Sequence, residues 1–201
     1  MAHSAANPTD TLKLALVIEL VTFVVAVVGL SFVDVTVTWK GSGIAGALAY
    51  GLMGALLSLV AILGLTRSQT PVGKGLRDIF GSLYPFFRGF SWPQIVITAL
   101  AAGFCEELFF RGFLQGWLEG ISTPAMAVLV TSVVFGLLHY ASFTYFVIAT
   151  GIGLSLGLVY WLSESLLLVI TWHGVYDLVA IAALAKYPRW LGLLAPEESA
   201  S

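Results

Sequence analysis

The chain has 201 residues, of which 59% are hydrophobic and only 10% are charged, and its formal net charge is −2 at pH 7. Because soluble domains carry about 25% charged residues, this composition indicates an integral membrane protein and excludes an ordinary soluble domain. The slightly acidic balance gives no reason to expect a nucleic-acid partner, and the single cysteine, Cys105, excludes an intramolecular disulfide.

Six apolar segments approach the length of about 20 residues that a transmembrane helix needs. In chain order they are residues 12–33, 44–65, 93–118, 124–141, 143–163 and 165–185. The first is longer than the apolar region of about 7–15 residues in a signal peptide, so we expect an uncleaved span. The sequence therefore predicts an all-α, polytopic membrane helix bundle of about six spans.

The segment between the second and third spans, residues 71–90, mixes basic with aromatic side chains. This composition favours a short amphipathic helix at the membrane surface. We expect one membrane domain over residues 1–201, in which two N-terminal helices (12–65) precede this interfacial segment and a core (92–185). Residues 186–201 are predicted to form a loose tail.

Basic residues in the short loops predict the orientation of the spans. With the N-terminus inside, the cytoplasmic loops hold seven lysines and arginines and the outer loops hold only Lys40. The seven are Lys13, Arg67, Lys74, Arg77, Arg88, Lys186 and Arg189. This bias predicts that both termini are cytoplasmic, and the compact chain suggests a bacterial inner membrane.

Small residues recur every four positions in two of the predicted spans. Gly43, Ala47, Gly51 and Ala55 follow this spacing in the second span, and Gly153 and Gly157 follow it in the fifth. Such spacing allows helix backbones to approach closely, although glycine and alanine are also common in membrane helices without that role.

Ionisable side chains inside membrane spans are rare and indicate a functional site by default. Apart from Lys13 at the very start of the first span, the spans contain seven charged or histidine side chains: Glu19, Glu106, Glu107, Arg111, His139, His173 and Asp177. Glu19 stands alone in the first span, where an interior hydrogen-bonding role is the simpler interpretation.

Glu107 and Arg111 are four residues apart, so they share a helix face and are predicted to form an ion pair. Glu106 points about 100° away around the helix and needs another partner. Counting residues from the connecting turns at about 1.5 Å per residue places Glu106, His139 and Asp177 at a similar depth. We therefore expect polar groups from three separate helices to converge at one level of the bilayer.

Carboxylate and imidazole groups at this depth are suited to activating water. A carboxylate in an apolar site binds a proton more strongly than in water, which suits a general base, and a histidine can donate to a developing oxyanion. Glu106, His139, His173 and Asp177 are also acceptable zinc ligands. However, the HExxH helix typical of zinc peptidases is absent, and four ligands would leave no free base. We expect no cofactor, with zinc as the alternative.

Three segments together resemble the signature of a known family. EELFFR (Glu106–Arg111) is similar to an EExxxR motif, FGLLH (Phe135–His139) to FxxxH, and HGVYD (His173–Asp177) to HxxxN/D. In this order on successive membrane helices, they resemble the CAAX protease and bacteriocin-processing (CPBP, Abi) family of intramembrane glutamic endopeptidases. The resemblance covers about residues 92–185, and the first two helices match by architecture only.

This resemblance implies a role for each matched residue. Glu106 would activate a water molecule with His139, while His173 and Asp177 would form the oxyanion-binding side. The supporting residues would be Glu107, Arg111 and Phe135. Prenyl-protein members of the family have asparagine where this chain has Asp177, and an ionised aspartate cannot donate a hydrogen bond. Asp177 is therefore expected either to be protonated or to orient His173.

The implied activity is hydrolysis of a peptide bond in a membrane-associated protein or peptide, with the lipid bilayer as the other partner. Two alternatives remain open from the sequence. One is a transporter or proton-conducting protein that uses the same buried carboxylates, and the other is a non-catalytic immunity or scaffold protein that retains the motifs.

Overall fold

The structure is a computed structural model that describes residues 7–41 and 43–193. All regular secondary structure within these residues is helical, which confirms the predicted fold class. The helices are α1 (Pro8–Phe32), α2 (Ile44–Arg67), α3 (Pro71–Phe87), α4 (Trp92–Glu107), a π-helical segment (Leu108–Gln115), α5 (Gly116–Ile121), α6 (Pro124–Leu138), α7 (Phe143–Ser163), α8 (Leu166–Lys186) and a 3₁₀ turn (Pro188–Leu191).

Four of the helices, α1, α2, α7 and α8, are long and apolar enough to cross a membrane. Their outward surfaces carry many exposed leucine, valine and phenylalanine side chains, as expected where lipid rather than water surrounds the bundle. These helices identify an integral membrane protein.

The predicted third and fourth spans differ from the structure. The third, residues 93–118, is not one α-helix, because α4 ends at Glu107 and π-helical geometry continues to Gln115. The fourth, residues 124–141, ends as a helix at Leu138. At about 1.5 Å per residue α6 is only about 22 Å long, which is shorter than the hydrocarbon core of about 30 Å. The helix therefore ends within the thickness of a bilayer.

Helix α8 lies at the centre of the bundle and packs against both α2 and α4. Its first turn is capped by the extended segment that links α1 to α2. The backbone N–H groups of Leu166 and Leu167 donate to the carbonyl oxygens of Thr38 and Trp39, at 2.9 and 3.1 Å. These bonds satisfy donors that a helix start leaves free, so the first connection of the chain fixes the start of the last long helix.

The small-residue stripes pack largely as predicted. Ala47, Gly51 and Ala55 are buried in α2, and a Cβ built on Gly51 would lie 2.7 Å from the carbonyl oxygen of Leu168 in α8. Gly43 differs, because it precedes α2 with a φ of 92° and a Cβ there would meet nothing within 4 Å. Its role is to allow a left-handed backbone conformation rather than close packing.

Within residues 71–90, Pro71–Phe87 form the predicted helix, α3, which buries Leu76 and Ile79. The guanidinium of Arg77 donates to the carbonyl oxygens of Thr66 and Ser68, so it caps the end of α2. The predicted tail is partly ordered, because the 3₁₀ turn after α8 buries Leu191 against Ala183 and Leu184. Residues 194–201 of that tail lie outside the described residues.

Candidate active site

Two glycines bring α4 and α8 together next to the polar groups. A Cβ built on Gly103 would lie 2.7 Å from both Cα and N of Gly174, so the helix backbones are in direct contact at this crossing. Gly103 precedes the Glu106–Glu107 pair by one turn, and Gly174 follows His173. The crossing therefore sets the distance between the carboxylates of α4 and the imidazole of α8.

We expect Gly103→Ala to lower the stability of the protein by about 1–3 kcal/mol, the usual cost of overpacking a tight core. Backbone atoms of Gly174 leave the added methyl group no flexible neighbour to displace. The measurement is thermal unfolding in detergent, followed by tryptophan fluorescence. Gly64→Ala is the matched control, because a Cβ on Gly64 of α2 meets nothing within 4 Å. An unchanged melting temperature for Gly103→Ala would show that the crossing relaxes freely.

Glu107 and Arg111 form the ion pair that their spacing predicts. Nη1 of Arg111 donates to Oε1 of Glu107 at 2.9 Å, and both side chains are fully buried. Nη2 of Arg111 donates to the carbonyl oxygen of Gly153 in α7, also at 2.9 Å. The guanidinium thus ties the π-helical segment to both α4 and α7. Such π-helical segments are frequent at functional sites.

Glu107 has a second partner that its spacing does not reveal. Nδ1 of His173, on α8, lies 2.7 Å from the same Oε1 atom that accepts from Arg111. The carboxylate accepts and the imidazole nitrogen donates, so this contact fixes the hydrogen of His173 on Nδ1. Nε2 of His173 then lies 3.5 Å from Oδ2 of Asp177, one turn along α8. Glu107 therefore orients His173 as well as pairing with Arg111.

Glu106 faces His139, as the common depth predicts. Oε2 of Glu106 and Nε2 of His139 are 3.6 Å apart. His139 is not within α6 as expected but is the residue that follows its last turn. Its Nδ1 lies 2.8 Å from the carbonyl oxygen of Phe135, which can only accept, so Nδ1 carries the hydrogen. In a neutral ring the Nε2 lone pair then points toward Glu106.

Phe135 holds the His139 ring in this position. The two rings stack with centroids 4.2 Å apart and an angle of 23° between their planes. The guanidinium carbon of Arg111 lies 5.2 Å from the centre of the Phe135 ring, a cation–π contact. Phe135 thus connects the buried ion pair to the histidine that faces Glu106.

The four candidate catalytic residues surround one cavity of about 310 Å³. Glu106, His139, His173 and Asp177 all line it, and apolar side chains form most of the remaining wall. Among the described residues, no set of three or more histidine, cysteine, aspartate or glutamate side chains is arranged to hold a metal ion. Each imidazole lies near a carboxylate at the cavity: His139 is near Glu106 of another helix, and His173 is near Asp177 of the same helix.

Several cavity-lining polar residues were not placed at the site by sequence reasoning, namely Glu19, Thr98, Tyr145 and Tyr176. Glu19 of α1 and Thr98 of α4 line the same cavity as Glu106. The signal for Glu19 was its isolated charge in an apolar span, but its sequence position does not show which helix face it occupies. Thr98 lies two turns before Glu106, and its hydroxyl gave no signal in the sequence.

Comparison with known proteins supports the resemblance drawn from the three motifs. Residues 88–179 match the family model described as type II CAAX prenyl endopeptidase Rce1-like. The chain is also similar to the uncharacterized protein YpbD of Bacillus subtilis (strain 168), with 28% identity over 129 residues. These residues make up 63% of this chain. The chain spans 64% of the length of that relative. No solved structure was found to match the chain.

The matched residues contain all three motifs, from Glu106 to Asp177. The helices before residue 88 lie outside the match. The resemblance to the CAAX protease family is thus confirmed over residues 88–179, which are similar to the Rce1-like type II CAAX prenyl endopeptidases.

Proposed function

We propose that this protein is an intramembrane endopeptidase that hydrolyses a peptide bond in a membrane-associated protein or peptide. The observation that supports this function most directly is the pair formed by Glu106 and His139. Their facing atoms, Oε2 and Nε2, are 3.6 Å apart at the wall of the cavity. An ionised carboxylate and a neutral imidazole nitrogen are both acceptors, so a water molecule that donates to each satisfies the pair.

In this proposal the water is the nucleophile. Glu106 accepts one proton of the water as its oxygen attacks the carbonyl carbon of the scissile bond, and His139 accepts the hydrogen bond from the other O–H. The proton then passes to the leaving amine, which requires a group that is basic in one step and acidic in the next. Glu106 and His139 are both suited to that transfer.

His173 is proposed to stabilise the oxyanion that develops on the substrate carbonyl. Because Nδ1 donates to Glu107, a second hydrogen bond from Nε2 requires the protonated ring. Glu107 and Asp177 are the carboxylates on either side of this ring, so they would stabilise its positive charge. Asp177 in this arrangement orients His173 and does not itself donate, which is the second of the two roles considered for it.

The test is cleavage of membrane-anchored peptide libraries by the purified protein in lipid bilayers, with products identified by mass spectrometry. Hydrolysis predicts fragments that carry a new carboxylate with one oxygen from labelled water. A parallel measurement of ion and solute flux in liposomes tests the transport alternative. Flux without any cleavage would contradict the proposed function. The absence of both cleavage and flux would favour a scaffold or immunity role.

We also expect the purified protein to contain no stoichiometric zinc and to keep its activity in the presence of a chelator. If Glu106, His139, His173 and Asp177 all bound the metal, no free base would remain beside the four-ligand site. Elemental analysis and activity after chelation provide the measurement. One zinc per chain, with activity lost on chelation and restored by zinc, would contradict the metal-free mechanism.

A further inference from the structure

Helix α1 contributes one carboxylate to the cavity although it lies outside the family match. Its buried residues are only Glu19 and Ala26, and most of its other side chains face outward. Glu19 is 8% exposed and lines the cavity together with Glu106. A carboxylate at the one buried face of an apolar helix is costly, so a group that compensates it is expected.

No such group is found in the part of the chain that the structure describes. Oε2 of Glu19 is buried without a hydrogen-bond partner among residues 7–41 and 43–193. The same is true of Oγ1 of Thr98 and Oε2 of Glu106, and all three residues line the one cavity. Buried polar atoms are normally paired. The proposed water accounts for Glu106, so the unpaired atoms of Glu19 and Thr98 in this cavity indicate that a further polar ligand provides donors there.

The charge of the wall indicates what kind of donor fits. The described cavity-lining residues include three carboxylates, on Glu19, Glu106 and Asp177, and no lysine or arginine. The nearby Arg111 is fully buried and already paired with Glu107. The cavity is thus acidic on balance, so a ligand that inserts a positively charged donor is electrostatically complementary.

We propose that Glu19 and Thr98 form a subsite that selects a basic side chain of the peptide substrate. The ammonium or guanidinium group would donate to the carboxylate of Glu19 and to the hydroxyl oxygen of Thr98. This inference rests on the proposed peptidase function and adds a substrate preference to it. The subsite explains why a costly buried carboxylate stands in α1, because the substrate supplies its missing partner.

Helix geometry limits where the basic residue lies in the substrate. Thr98 and Glu106 are eight residues apart on the same helix, which corresponds to about 12 Å along α4. An extended peptide covers about 3.3 Å per residue. The selected side chain therefore lies within about four residues of the bond that Glu106 attacks.

The experiment compares pairs of membrane-anchored peptides that carry lysine or norleucine at each of the four positions on either side of the cleaved bond. At one of these positions, the wild-type protein is expected to have kcat/KM about tenfold or more higher for lysine, the effect of one hydrogen bond between charged groups. Glu19→Gln should remove most of this preference. Asp10→Asn is the matched control on the same helix, because Asp10 is exposed, and it should retain the preference.

Equal kcat/KM for both peptides at every position would overturn the subsite. The subsite would also be overturned if Glu19→Gln lowered kcat/KM for both peptides by the same factor. That result would show that Glu19 supports helix packing or the reaction itself, and not the choice of side chain. If Glu19→Gln does not fold, Thr98→Val replaces it as a nearly isosteric change. This variant should reduce the preference, and an unchanged preference would contradict the role of Thr98.

A binding measurement separates this inference from the proposed function. The Glu106→Ala protein, which retains Glu19, is mixed with each uncleaved peptide and its melting temperature is recorded in detergent. The subsite is supported if the lysine peptide raises the melting temperature, the norleucine peptide does not, and the increase is lost in the Glu106→Ala, Glu19→Gln double variant. This result would support the subsite even if the wild-type protein cleaves neither peptide. If the wild-type protein cleaves the peptides but the two peptides raise the melting temperature equally, the peptidase function is supported and the subsite is rejected.

Discussion

Glu106→Ala is expected to lower the rate of peptide hydrolysis by at least about 10²–10⁴-fold, the contribution of a positioned general base, while the protein remains folded. The reason is geometric. Oε2 of Glu106 has no hydrogen-bond partner among the described residues and faces His139 across the cavity. No bond that supports the fold is therefore lost with this carboxylate, whereas the group proposed to accept the proton from water is removed.

The measurement is single-turnover cleavage of a membrane-anchored peptide by protein in bilayers, beside thermal unfolding in detergent. His139→Ala should give a loss of similar size, because the same water loses its second acceptor. Glu164→Gln is the control, since Glu164 follows α7 on the exposed surface and should behave as the wild type. Near-normal turnover by well-folded Glu106→Ala protein would reject the proposed mechanism.

Removal of either partner of the buried ion pair is expected to have the largest effect on stability. Glu107→Ala or Arg111→Ala leaves an uncompensated charge in a fully buried position, which typically costs about 3–5 kcal/mol. The structure strengthens this expectation, because Glu107 also accepts from His173 and Arg111 also donates to Gly153. Both variants should therefore melt well below the wild type in detergent.

A double-mutant comparison separates the pair from the general loss of side-chain volume. The combination of Glu107→Gln with Arg111→Met removes both charges, so its destabilisation should be smaller than the sum measured for Glu107→Gln and Arg111→Met separately. Lys13→Ala breaks the exposed pair with Asp10, where Nζ and Oδ1 are 3.9 Å apart, and should cost only about 0.2–1 kcal/mol. Unchanged melting temperatures for both single variants would contradict the assigned role of the pair.

The sequence alone determined the features that depend on composition and on contacts within one helix. Scarce charge and long apolar segments identified a membrane helix bundle. The four-residue spacing of Glu107 and Arg111 predicted their ion pair, and the three ordered motifs predicted the family. These inferences succeed because hydropathy and helix periodicity are local properties, which neighbouring helices hardly alter.

Local periodicity did not predict where helical geometry changes. The sequence favoured continuous spans at 93–118 and 124–141, whereas α4 gives way to π-helical geometry after Glu107 and α6 ends at Leu138. Neither change is marked by a proline or a glycine at the boundary. Both occur where side chains of the site make contacts with other helices, and such contacts outweigh the small differences in intrinsic helix propensity.

Only the tertiary structure decided which helix faces meet. The bond between Glu107 and His173 joins residues 66 positions apart, and it depends on the Gly103–Gly174 crossing that sets the separation of α4 and α8. The presence of Glu19 at the cavity likewise depends on how α1 is rotated against the bundle. A sequence fixes the order of side chains around each helix, but the rotation and contact distance of each helix follow from packing against all the others.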